Sequence, residues 1–313
     1  MKRVLILAGG TATAWHLVNE IEKYYKNCIE VYICDTNPKH LIPSSKKAKK
    51  FIQVPPIYSE LYYDFMIDTL KENKIDIIIP LIDFDLSIFS NDNKDLQNIN
   101  VKSSAPSKTV AKLLSNKYNM SKYLEGIDVK TPKLYSIDDI EMDKEYILKP
   151  KVGFGSRGVI KCRGGEVKLH YNEDYIIQEL CKPKEITVEV FNNESTIQTI
   201  CRERLEVKSG VCTKARIFED IQLKSIVEKI LINIEFPTAS CIQFMLNENN
   251  QWCVIDINLR LGAGTALSSK VGWQLARASL AQWTERFSSS DEYFKEIKED
   301  KYVVRVYEEV EMI

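Results

Sequence analysis

Three stretches of the chain bring together residue types that could do chemistry. The first is Tyr146–Gly158, YILKPKVGFGSRG. An apolar strand ends at Lys149-Pro150, and a loop with three glycines, Ser156 and Arg157 follows. Such a loop lays backbone N–H groups and a cation around a polyphosphate, although glycines also serve in plain turns. Lys149 stands where the strand stops, so its ammonium reaches into the space the loop covers. The second is a hairpin, Ser240–Leu246 and Gln251–Asn258, turning across Asn247-Glu248-Asn249-Asn250. With the turn centred between Glu248 and Asn249, residue 243 faces residue 254. Alternation then puts Ile242, Phe244, Leu246, Cys253, Ile255 and Ile257 on one face and Gln243, Met245, Val254, Asp256 and Asn258 on the other. One carboxylate and two amides side by side are hard oxygen ligands of the kind Mg²⁺ takes beside phosphates, and Arg260 follows at the same parity. The third stretch is RERLEVKSGVCTK, in which Arg202 and Arg204 share a strand face and Lys208 and Lys214 flank Gly210. It reads as an anion site for a carboxylate or a terminal phosphate, or as solvated strand charges.

The elements around these residues alternate strand and helix over the first hundred positions. Val4–Ala8, Ile29–Cys34 and Ile75–Pro80 are apolar runs, with helices expected up to about Tyr25 and over Leu61–Glu72. Uniformly apolar strands separated by helices predict a parallel sheet covered on both faces, with Gly9, Gly10, Asp35, Asp83 and Asp85 at strand ends where ligands sit. AGGTATAWH lacks the glycine spacing of a dinucleotide fingerprint. Ser107–Gly126 and Asp220–Ile232 read as helices, Glu185–Gly210 as strands, Thr265–Phe287 as a further helix, and KYVVRVYEEV as a final strand.

Composition narrows the function classes. The 313 residues suffice for two or three modules. With 43 basic against 44 acidic side chains the net charge is −1, which favours neither nucleic acid nor a membrane surface. The basic run Lys46–Lys50 reads as a solvated loop or helix face. The eight scattered cysteines contain no Cys-x-x-Cys pair and the three histidines no ligand spacing, so reduced thiols, no zinc and a cytoplasmic location are expected.

Taken in order, these pieces resemble the ATP-grasp superfamily, and within it the carbamoyl-phosphate synthase large-subunit-like carboxylate–amine ligases. The resemblance covers roughly residues 1–285. IDIIIPLIDFDL is similar to the family's N-terminal domain, SNKYNMSKYLEGIDVKTPK to the helix entering the lid, YILKPKVGFGSRGV to the lid strand and its loop, and YIIQELCKPKEITVEVF to the hinge. CIQFMLNENNQWCVIDINLRLGAGTALSSKVG is the strongest match. The family usually has glutamate at Asp256 and often a second carboxylate at Gln243.

The resemblance implies an ATP-grasp fold of mixed α/β and α+β class. Its parts are a Rossmann-like parallel-sheet domain over 1–106, a linker helix and lid subdomain over 107–182, and an antiparallel-sheet catalytic subdomain with its tail over 183–313. It implies that ATP is held by Lys117, Lys149, Gly155, Ser156, Arg157, Gln178, Glu179, Leu180 and Glu185. Metal, Mg²⁺ or Mn²⁺ in its place, falls to Gln243, Asp256 and Asn258. Arg260, Lys149 and Arg157 would act on the transferring phosphoryl group, and Arg202, Arg204 and Lys214 on the substrate carboxylate. The implied reaction joins a small carboxylate to an amine, amino acids among them, through an acyl phosphate. A homodimer is compatible with it. An ATP-dependent kinase or acyl-phosphate former would share these motifs, and so would a non-catalytic ATP sensor.

Overall fold

Residues 1–103 of the computed structural model fold as the apolar runs require; the structure describes residues 1–153 and 157–312. The elements are β1 (Lys2–Ile6), α1 (Ala12–Glu20), β2 (Ile29–Asp35), β3 (Lys50–Gln53), α2 (Tyr62–Glu72), β4 (Ile77–Ile79), α3 (Asp83–Ile88), α4 (Lys94–Asn98) and β5 (Lys102–Ser103). They form a parallel sheet of order β3-β2-β1-β4-β5. Successive residues of β1 enter opposite cores, Val4 and Ile6 on one side, Leu5 and Leu7 on the other. A strand buried on both faces therefore reads as a continuous apolar run. Strand order reverses between β1 and β4, so the crevice at their carboxyl ends lies between Gly9–Thr11 and Asp83. Two expectations are corrected. Lys46 and Lys47 sit in a 3-10 turn, but Lys50 opens the edge strand β3. Asp83 is not a bare strand end; it is the first residue of α3.

The helix expected over Ser107–Gly126 is two helices, α5 (Lys108–Ser115) and α6 (Lys117–Gly126). Asn116 breaks it. Its backbone is extended (φ −92°, ψ 110°), and its side-chain oxygen accepts from the N–H groups of Tyr118 and Asn119 at 3.0 and 3.1 Å. Asparagine competes with the helix for its own amides, which makes it a strong N-cap. The restart places Lys117 at the head of α6. A small antiparallel sheet follows: β6 (Leu134–Tyr135), β7 (Glu145–Pro150), β8 (Ile160–Arg163), α7 (Gly164–His170) and β9 (Tyr175–Glu179), ordered β6-β9-β7-β8. Its core is Tyr146, Leu148, Cys162, Val167 and Ile177.

A six-stranded antiparallel sheet completes the chain. It contains β10 (Glu185–Asn192), β11 (Ile197–Lys208), β12 (Val211–Phe218), β13 (Ala239–Leu246), β14 (Trp252–Asn258) and β15 (Lys301–Val304), ordered β14-β13-β10-β11-β12-β15. α8 (Ile221–Asn233) lies between β12 and β13, and α9 (Thr265–Ser268) and α10 (Leu275–Trp283) between β14 and β15. One sheet face, with Ile186, Val188, Val190, Ile242 and Phe244, packs on α5, α6 and α8. The other is apolar only at one end, where Phe191, Ile200, Ile217 and Ala239 meet α1 and α10. The expected helix over Thr265–Phe287 breaks at Gly272, whose φ of 96° suits glycine and whose missing Cβ leaves room for Lys295. All eight cysteines are free. Among the described residues no helix is long and apolar enough to cross a membrane.

Candidate active site

The polar end of that second face is built by the β13–β14 hairpin, in a register one step from the expected one. Asn247 shapes the turn: its side-chain oxygen accepts from the N–H groups of Asn249 (3.0 Å) and Gln251 (2.9 Å), and its own N–H donates to Gln251 O at 3.0 Å. The pairs are Leu246–Trp252, Met245–Cys253 and Phe244–Val254, then Gln243–Asp256. Ile255 is the extra residue of a β-bulge. Val254 therefore enters the core with Phe244, and Cys253 takes the other face, reversing both expectations. Gln243 faces Asp256 directly, and Asn258 faces Cys241. Asn258 Nδ2 donates to Asp256 Oδ2 at 3.3 Å.

The small sheet covers this patch. Tyr146 and Leu148 of β7 fill its core, so alternation turns Ile147 and Lys149 outward, with Gln178 and Ile176 paired to them on β9. Lys149 is buried. Burial pulls its ammonium below the ordinary lysine value against the attraction of Asp256; Lys117 pulls the same way, and Glu185 opposes. Lys117 Nζ donates to Gly153 O at 3.1 Å and lies 3.5 Å from Asp256 Oδ1. Gln178 is buried with its Oε1 unpartnered among the described residues. The Glu179 carboxylate and N–H are both engaged by the Lys133 backbone, at 3.0 Å each, which leaves the carbonyl of Glu179 and the backbone of Leu180 for a ligand.

Sequence reasoning placed Asp83 at a strand end but missed its partner. Arg260 Nε and Nη2 donate to the two Asp83 oxygens at 2.9 and 3.0 Å, and Nη2 also donates to Asn258 Oδ1 at 3.0 Å. Burial works against the Arg260 charge, but Asp83 outweighs it and holds the guanidinium above the ordinary arginine value. A cleft of about 150 Å³ opens between Asp83, Ser87, Ser115, Lys117, Asp256 and Asn258. A larger groove of about 310 Å³ lies at the edge strand between Lys50, Phe65 and Glu72 and gathers no such chemistry.

Asp85, the other strand-end acid, is buried away from this cleft, where Tyr62 Oη donates to its Oδ1 at 2.8 Å. Burial pushes its carboxyl up to about 7, against the Tyr62 bond. The folded state thus holds a proton that the unfolded state releases near pH 4, so stability falls as pH rises from about 4 to about 7 and then levels. Asp85→Asn is expected to remove this slope and to be about 2–4 kcal/mol more stable than the parent at pH 8. Urea unfolding at pH 5 and pH 8 measures it; equal slopes in both proteins would exclude the account.

The remaining expected residues separate. Arg202 is buried, its Nε donating to Glu189 Oε1 at 3.0 Å. Arg204 pairs instead with Glu185 and donates from Nη2 to Gly210 O at 2.9 Å. Lys214 does not join them. It alternates with Ala215, which shares a side with Arg204, and is exposed in an ion pair with Glu206 at 2.9 Å. Arg157 is exposed, and Gly155 and Ser156 lie outside the described residues. The fully buried Glu189 was overlooked, although EITVEV places it at the parity of Glu185 and opposite the core residues Ile186, Val188 and Val190.

This arrangement can be set beside known proteins. Residues 114–264 match the family model described as an ATP-grasp domain, and residues 4–103 the model described as a PylC-like N-terminal domain. No curated protein matches the chain by sequence. Among solved structures, the chain is similar to N5-carboxyaminoimidazole synthetase from Staphylococcus aureus, with TM-score 0.72 and 16% identity over 90% of this chain and 77% of that one. It is similar to an L-amino acid ligase from Bacillus licheniformis, with TM-score 0.72 and 13% identity over 94% and 76%. It is also similar to the biotin carboxylase domain of Hydrogenobacter thermophilus 2-oxoglutarate carboxylase, solved with MgADP and bicarbonate. There the TM-score is 0.71, with 16% identity over 95% and 71%.

Proposed function

Because the chain belongs to the ATP-grasp superfamily, we propose that it joins a carboxylate to an amine using ATP, by way of an acyl phosphate. The observation that carries this is the convergence of Lys117, Lys149, Asp256, Asn258 and Arg260 on one cleft from three separate segments. Adenine lies against the outward face of β7 and β9, read by the Glu179 carbonyl and the Leu180 backbone. Lys149 and Lys117 meet the phosphates, with Gly155, Ser156 and Arg157 closing over them. Glu185 takes the ribose when it leaves Arg204. Residues 107–182 then act as linker and lid, between the 1–106 and 183–313 units.

Asp256, Gln243 and Asn258 offer one carboxylate and two amide carbonyls, a donor set that fits Mg²⁺, or Mn²⁺, once phosphate oxygens and water complete six ligands. Asn258 Oδ1 retains a lone pair beside its bond to Arg260. The metal when bound supplies charge neutralisation at the phosphoryl oxygens. A substrate carboxylate oxygen attacks the γ-phosphorus and ADP leaves. The amine then attacks the acyl carbon, phosphate leaves, and the nitrogen gives up its proton. Lys149 and Arg260 neutralise the charge that builds during the first step. No protein nucleophile is required.

The test is an ATPase screen over carboxylates with hydroxylamine as trap. ADP release with stoichiometric hydroxamate from one acid is the expected result and names that acid. ATP binding without acid-stimulated ADP release would sink the ligase reading. It would favour the second one, an ATP sensor, which draws on the single carboxylate in the metal set.

A further inference from the structure

One seam of the molecule takes no part in that chemistry. α1 packs on α9 and α10, and α9 on β15. This brings together His16 from α1, Lys270 just past α9, and Arg305 just past β15, beside the Gly262–Gly264 loop. Arg305 Nη2 donates to Ala263 O at 2.6 Å, while its Nε is buried with no partner among the described residues. On the next residue, Gly264, a Cβ would lie 2.1 Å from Arg202 Cζ, so a second guanidinium lies against the same loop.

Polar atoms without partners collect here. His16 Nε2, Glu20 Oε2 and Arg277 Nε, grouped around Lys270, join Arg305 Nε. Buried polar groups are almost always satisfied, so such a collection points to a missing ligand or ordered water. The charge balance favours an anion. Glu189 is engaged through Oε1 alone, by Arg202 Nε at 3.0 Å and Ser268 Oγ at 2.8 Å, and its buried Oε2 has no partner among the described residues. Arg277 pairs with Glu292 at 2.6 Å. Glu20 is the other carboxylate facing the seam, and Lys23, Arg277 and Lys270 all act on it. Lys270 shares Glu20 with Lys23 and Arg277, and no carboxylate forms an ion pair with Arg305 among the described residues. His16 is pulled down to about 4 by burial, with Lys270 and Arg305 adding to it, so it stands as a neutral donor and acceptor. Burial lowers Arg305 as well, and Arg202 adds to it.

We propose that this seam is a carboxylate subsite formed by Arg305, Lys270 and His16, holding a second, unreacting carboxylate on one of the two substrates. The proposal rests on the ligase reading. The carboxylate that reacts must meet the γ-phosphoryl group beside Arg260. Gly264 is four residues past Arg260, at most about 14 Å along the chain. Cys241 touches Gly262 and feels both Arg202 and Arg260. A small molecule spans that distance, with one end at the reacting group and a free carboxylate at Arg305. Substrates of this class are amino acids or dicarboxylates, not simple amines paired with monocarboxylates.

Glutarate, glutaramate and glutaramide carry two, one and no carboxylates on one skeleton. Each is titrated into the nucleotide-free protein while the His16 imidazole is followed by NMR, its resonance assigned by its loss in His16→Gln. Both anions are expected to shift it saturably and glutaramide to leave it unmoved. Arg305→Ala and, separately, Lys270→Ala are expected to weaken glutaramate at least tenfold. Lys270 lies far from the C-terminal segment that carries Arg305, so its variant guards against simple loss of that segment; unchanged nucleotide affinity reports the fold in both. No saturable shift, an equal shift from glutaramide, or unchanged affinity in both variants overturns the subsite. The readout needs neither ATP nor turnover, so it fails or succeeds independently of the hydroxamate screen.

Discussion

Asp256→Ala is expected to lower kcat on the order of a thousandfold, with Asp256→Glu retaining at least about a tenth of the parent rate. Asp256 is the one carboxylate of the proposed metal set, and it also faces Lys117 at 3.5 Å. Alanine removes the metal's anionic ligand and leaves Lys117 and Lys149 with no carboxylate between them. Glutamate restores the charge from one carbon further away, as in the usual family pattern. Because the adenine face and the lysines remain, ADP affinity without metal should change by less than tenfold. Steady-state rates with the acid found in the screen, and ADP titrations with and without Mg²⁺, measure both quantities. Full activity in Asp256→Ala would falsify its place in the metal set.

Arg260→Ala should produce a loss of similar size, about 10³-fold in kcat, because a guanidinium aimed at a transferring phosphoryl group acts mainly in the transition state. Arg260→Lys should recover little of it. The Arg260 fork donates to both Asp83 oxygens at once and to Asn258, and a lysine point charge cannot hold that geometry. Asp83→Asn should cost about tenfold in kcat with nucleotide affinity unchanged, since Arg260 loses its anchor but keeps its charge. If Arg260→Ala raises KM for the acid and leaves kcat intact, Arg260 binds substrate without assisting transfer.

Much of the fold was legible because burial on both faces leaves an unmistakable apolar pattern. β1, β2 and β4 could be located from it, and Asp220 announced α8. Breaks within helices were harder. Asn116 and Gly272 act through a cap and a left-handed turn, and a hydrophobic period continues across both. In the site, Lys149 and Asp256 could be found because each ends or interrupts an apolar strand. The Asp83–Arg260 bond joins residues 177 positions apart, and nothing local to either predicts it. The cations of Arg202–Lys214 misled for the opposite reason. A charge on a strand is visible in sequence, but its partner across the sheet is not, and Glu189, Glu185 and Glu206 each claim one.

The bulge at Ile255 divides β14 into two halves of opposite phase. Before it, even-numbered Val254 belongs to the core; after it, even-numbered Asp256 and Asn258 belong to the cleft. The hairpin therefore tunes its packing and its chemistry separately, as two short rulers joined with an offset. Pairing the full strand without the bulge would give both rulers one phase and set either Asp256 into the core or Val254 into the cleft, whereas deleting Ile255 would remove the offset and leave both on their present faces.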